Sequence, residues 1–92
     1  MIGLNFKEYT NIQKECEKLA RNKNHDYGND SLKSFGNLGI LIRISDKVDR
    51  LKTFQKKGIL NVKDEKIEDT LKDIINYAIY MIMQGRDKLD AV

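Results

Sequence analysis

The sequence contains no proline, no tryptophan, one cysteine and one histidine in 92 residues. Without proline, nothing in it breaks a helix by ring sterics or by a missing amide donor. A lone cysteine excludes an internal disulfide, and Cys16 with His25 makes too few ligands for a zinc site built from cysteine and histidine alone. A reducing cytoplasm is the expected compartment. Long hydrophobic runs are missing too: the richest stretch, Ile74 to Met83, is about half the length of a membrane span, and the opening MIGLNFKEYT lacks the basic-then-apolar order of an export signal. No membrane partner is expected. Charge is balanced, with 17 Lys and Arg against 14 Asp and Glu. The net +3 is spread over the whole chain and argues against nucleic acid as the partner.

What remains is the composition of a helical protein. Charged residues make up 34% and hydrophobic ones 40%, which suits a folded chain and not a disordered one. The expectation is one all-α domain over residues 1–92, burying about two-thirds of its unfolded surface.

Apolar spacing predicts three helices. The first runs from Phe6 to Lys23 with Tyr9, Ile12, Cys16, Leu19 and Ala20 on one stripe, and Asn5 three residues before Glu8 supplies its start. A polar stretch from Asn24 to Gly36 interrupts the pattern. The second helix spans Asn37 to Lys57, with Ile40, Leu41, Ile44, Val48 and Leu51 inward and Gly58–Ile59 as its stop. Asp64 caps the third, which continues to Gln84 before Gly85, with Ile67, Leu71, Ile74, Ala78 and Ile82 as its main stripe. Ile75, Ile79 and Met83 lie off that stripe, so two neighbours cannot cover this helix. A homo-oligomer, a dimer or higher, is therefore expected to complete a helical bundle.

Two polar rows carry the candidate chemistry. Arg43, Lys47 and Arg50 recur at i, i+4 and i+7 on the second helix, and two guanidinium forks around an ammonium suit a di- or triphosphate. Asp69, Asp73, Asn76 and Tyr80 form a row on the third helix. Carboxylates four apart can share Mg²⁺, which needs only one or two of them plus substrate phosphates. Asn76 suits a water or a sugar, and Tyr80 a base. Glu8 and Glu15 flank the first helix more remotely, and the segment Lys23 to Gly28 has the composition of a recognition loop. From spacing alone the plainer reading stands beside this one: the rows pair with each other or face solvent.

KNHDYG at Lys23 to Gly28, GILIRISDKVDRLK at Gly39 to Lys52 and VKDEKIEDTLKDIINYA at Val62 to Ala78 resemble the signature blocks of the nucleotide modification associated domain family, first type. That family is common in phages and similar to the all-α NTP pyrophosphohydrolases of the MazG and dimeric dUTPase kind. The resemblance implies helices that assemble around a nucleotide, with Asp69 and Asp73 as catalytic Mg²⁺ ligands. It also implies Arg43, Lys47 and Arg50 as phosphate contacts, and Asp26 and Tyr27 as part of the pocket. The chain departs from MazG-like enzymes in lacking a Glu-x-x-Glu pair upstream. Three readings follow: a Mg²⁺-dependent nucleoside triphosphate pyrophosphohydrolase, a phage protein that sequesters a nucleotide signal without cleaving it, and a helical adaptor.

Overall fold

The computed structural model describes the backbone of residues 3–27, 29–61 and 63–86, and their side chains except those of residues 25–35. The described residues form three helices and no strand: α1 (Phe6–Tyr27), α2 (Asn29–Lys56) and α3 (Glu65–Gly85). The all-α expectation is met.

Helix ends follow local chemistry. Asn5 Oδ1 accepts from the Glu8 amide at 3.0 Å, satisfying one of the orphan donors of the first turn, and its carbonyl accepts the first helical bond, from Tyr9 at 2.9 Å. Asp64 caps α3 by accepting from the Lys66 amide at 2.8 Å. At the end of α2 the chain turns through Gly58 at φ 71°, with Ile59 N–H donating to the Phe54 carbonyl and Gly58 N–H to that of Gln55, both at 3.0 Å. This pair of bonds closes the helix only when the turning residue adopts the left-handed conformation, which glycine does without a steric cost.

The polar interval between the first two helices is not the expected loop. α1 continues to Tyr27, and α2 begins at Asn29 with a kink at Gly36, where φ is 61° and ψ 179°. Gly36 does break the helix pattern, but helix is present on both sides of it. Polar residues lower helix propensity only modestly, and without proline nothing forbids the extension.

α2 and α3 pack most extensively, and α1 lies across them more lightly. Ile40, Cys16 and Ile67 are buried at 0%, 2% and 5% exposure, one from each helix. The expected inward stripes hold in part. Ile44, Val48 and Leu51 are half-buried, whereas Leu41, assigned inward, is exposed. On α3, Leu71 and Ile74 are half-buried, but Ala78 and Ile82 face outward. On α1, Tyr9 and Ile12 are exposed. Apolar spacing identifies a face, not whether anything packs against it.

Polar contacts tie α1 to α3. Asn76 Nδ2 donates to the Cys16 carbonyl at 2.9 Å from a buried position. Lys72 Nζ lies 3.0 Å from Glu15 and 3.6 Å from Glu68. No helix among the described residues is long and apolar enough to cross a membrane.

Candidate functional site

A cleft of about 420 Å³ opens between α2 and the first half of α3. Lys47 and Arg50 line it from α2, and Lys66, Asp69 and Asp73 from α3. Four residues of the two expected rows thus meet in one place. Phe54, Ile59 and Ile67 supply an apolar wall. Thr70 is buried, with its hydroxyl donating back to the Lys66 carbonyl at 2.9 Å.

Asp73 is the junction of all three helices. Its Oδ1 is 2.7 Å from Lys23 Nζ on α1 and its Oδ2 is 3.0 Å from Lys47 Nζ on α2. The Lys47 ammonium also lies 5.9 Å from the centre of the Tyr77 ring, within cation–π range. Burial pushes the Asp73 carboxyl up, but the hydrogen bonds from Lys23 and Lys47, and then their charges, outweigh it and hold it below the usual aspartate range. A depressed carboxyl pKa gives stability that is present above the unfolded-state value and lost as pH falls through the folded-state value. Urea midpoints measured against pH are therefore expected to fall on acidification below the usual aspartate range. In Asp73→Asn that portion of the fall should be missing.

Not every expected residue joins the cleft. Arg43 is exposed and does not line it. Asn76 lies away from the cleft: its Nδ2 donates to the Cys16 carbonyl on α1, and it lines the groove between α1 and α3. Tyr80 packs edge-on against Tyr77, with ring centres 5.9 Å apart, and lines the far groove between α1 and α3. Burial, then the neighbouring Tyr77 and Asp73, raise its hydroxyl pKa. The row Asp69–Asp73–Asn76–Tyr80 is straight, but the neighbour changes along it. α2 flanks its beginning, α1 covers its end, and Asp73 bridges to both. The side chains of His25, Asp26 and Tyr27 lie outside the described residues.

Sequence reasoning missed Lys66, Thr70 and the apolar wall. Lys66, Asp69, Thr70 and Asp73 fall at i, i+3, i+4 and i+7, so the face was readable once α2 was known to flank it. Lys23 as a partner of Asp73, 50 positions away, had no local signal.

Residues 23–84 match the family described as nucleotide modification associated domain 1. The chain belongs to this family. The match contains Lys23, Lys47, Arg50, Lys66, Asp69 and Asp73, so the whole cleft and its clasp fall within the family's domain. No curated protein and no solved structure matches the chain.

The two carboxylates expected to share Mg²⁺, Asp69 and Asp73, both line the cleft. Among the described residues no group of three or more His, Cys, Asp or Glu could hold a metal ion. Asp69 is exposed, and each oxygen of Asp73 already accepts from an ammonium. A cation there would share those oxygens with two ammonium groups, whose charge would oppose it.

Proposed function

We propose that this chain binds a nucleotide or nucleotide-derived small molecule in the α2/α3 cleft, and that it does so without a metal of its own. The observation that carries the reading is the meeting of Lys47, Arg50 and Lys66 with the apolar wall of Phe54, Ile59 and Ile67 in one cleft. Arg50 offers a planar fork for two phosphate oxygens, Lys47 and Lys66 offer point charges, and the wall offers a desolvated face for a base. The family's association with nucleotide modification supports the same ligand class. Binding and retention, as in a sequestering protein, fit the donor set better than Mg²⁺-dependent hydrolysis does. The test is calorimetric titration with nucleoside mono-, di- and triphosphates with and without a chelator, followed by mass spectrometry of the recovered ligand. Intact ligand and chelator-independent affinity are expected. Cleaved ligand would replace this reading with the pyrophosphohydrolase, and no binding at all would leave the helical adaptor.

The same reading includes self-association. The α1/α3 groove of about 910 Å³ is largely apolar: Tyr9, Ile12, Ile75, Ile79 and Met83 are all exposed along it. A second copy is the occupant this reading assigns to the groove. Sedimentation should give a mass of two or more chains, and Ile79→Asp should reduce it to one while leaving helicity intact. A monomeric wild-type chain would refute this part.

A further inference from the structure

We propose that Lys23 and Lys47 form an anion seat which the protein fills with its own Asp73, and that this internal carboxylate determines which anions the cleft accepts. Two ammonium groups from two helices converge on the two oxygens of one anionic group, at 2.7 and 3.0 Å. That is the arrangement two oxygens of a phosphate would take. The Asp73 side chain is only 16% exposed and Lys47 21%, so the pair is partly shielded from solvent and the interaction is not one of the negligible surface kind.

The charge balance gives the seat its consequence. Lys47, Arg50 and Lys66 line the cleft together with Asp64, Asp69 and Asp73, so the lining carries no net charge. Asp64 is engaged at the α3 amides through its cap. A neutral cleft exerts little pull on a bare polyanion, because field lines are focused only where one sign dominates. A ligand must then add burial against Phe54, Ile59 and Ile67 to its phosphate contacts. Asp73 thus acts as a specificity residue: it disfavours inorganic phosphates, which bring charge alone, and leaves ligands that bring both a ring and a phosphate. Removing its charge would turn the lining positive and release Lys23 and Lys47 together.

This inference rests on the nucleotide reading of the cleft, and the experiment separates the two. Inorganic pyrophosphate and ADP are titrated into the full chain and into Asp73→Asn at two salt concentrations, with circular dichroism on each variant. Asp73→Asn should bind pyrophosphate at least about tenfold tighter than wild type, the size of one regained charge-assisted hydrogen bond. It should also show a steeper loss with salt, and adding Lys23→Gln should abolish the gain. Unchanged or weaker pyrophosphate binding in a folded Asp73→Asn would overturn the proposal. Should that variant not fold, the wild-type chain still decides. The Nζ resonance of Lys47 should shift as ADP is added and stay unmoved at the same concentration of pyrophosphate, and equal shifts with the two would overturn it equally. ADP bound by wild type with no pyrophosphate gain in the variant refutes the seat alone. A pyrophosphate gain with no ADP binding refutes the nucleotide reading alone.

Discussion

Ile40→Ala is expected to destabilise the chain by about 2–5 kcal/mol, the range for truncating a large buried aliphatic side chain. Ile40 is fully buried at 0% exposure, and only Cys16 and Ile67 join it as buried hydrophobic residues among those described. So small a core cannot absorb a void by rearrangement elsewhere. Against a typical total stability of about 5–15 kcal/mol, the loss is a large fraction of what holds the domain together. The urea midpoint should fall with the slope unchanged, which separates lost stability from altered compactness. Leu41→Ala, one position along and half exposed at 50%, should cost well under half as much. Equal losses at the two positions would mean that α2 presents a different face to α3.

Arg50→Ala is expected to weaken nucleotide binding by about tenfold to a hundredfold, since hydrogen bonds to charged groups contribute roughly 1.5–3 kcal/mol. Arg50 lines the cleft, and its planar guanidinium fork matches two phosphate oxygens. Arg50→Lys should recover only part of the loss, because an ammonium keeps the charge and forfeits the planar pair of donors. Arg43→Ala is the control. It belongs to the same basic row but does not line the cleft, so the variant's affinity should stay within about threefold of wild type. Titration calorimetry at fixed ionic strength checks all three variants. Equal losses for Arg43→Ala and Arg50→Ala would show that the row acts as a diffuse basic surface and not as a site.

Much of the fold was legible because it depends on neighbours in sequence. Asn5, Gly58 and Asp64 set helix ends through bonds that span two to five residues, and such bonds are visible in the order of residues alone. The stretch from Asn24 to Gly36 was misread because its polar composition resembles a loop, while residues 24–27 and 29–35 are helical. The inward faces were only half legible. Leu41, Ala78 and Ile82 have the spacing of core residues, yet spacing cannot report where a neighbouring helix ends.

The site divides the same way. Lys47, Arg50, Asp69 and Asp73 were readable as rows of opposite charge, and they do meet. Asn76 was assigned to the site by its place in the row, but a buried amide hydrogen-bonded to a backbone carbonyl on another helix is a structural strut. Nothing within either helix announces that contact, because Cys16 and Asn76 are 60 positions apart. The Lys23–Asp73–Lys47 clasp is equally nonlocal, and it changes the chemistry most: it turns a row that suggested a metal site into a charge-neutralised junction.

The most direct test of the central claim is amide shift mapping of the isotopically labelled chain as a nucleotide is added. The account predicts that the largest shifts fall on Lys47, Arg50, Lys66 and Thr70, on the two walls of the α2/α3 cleft. Shifts confined to Tyr9, Ile12, Ile79 and Met83 in the α1/α3 groove, or none at saturating nucleotide, would contradict it.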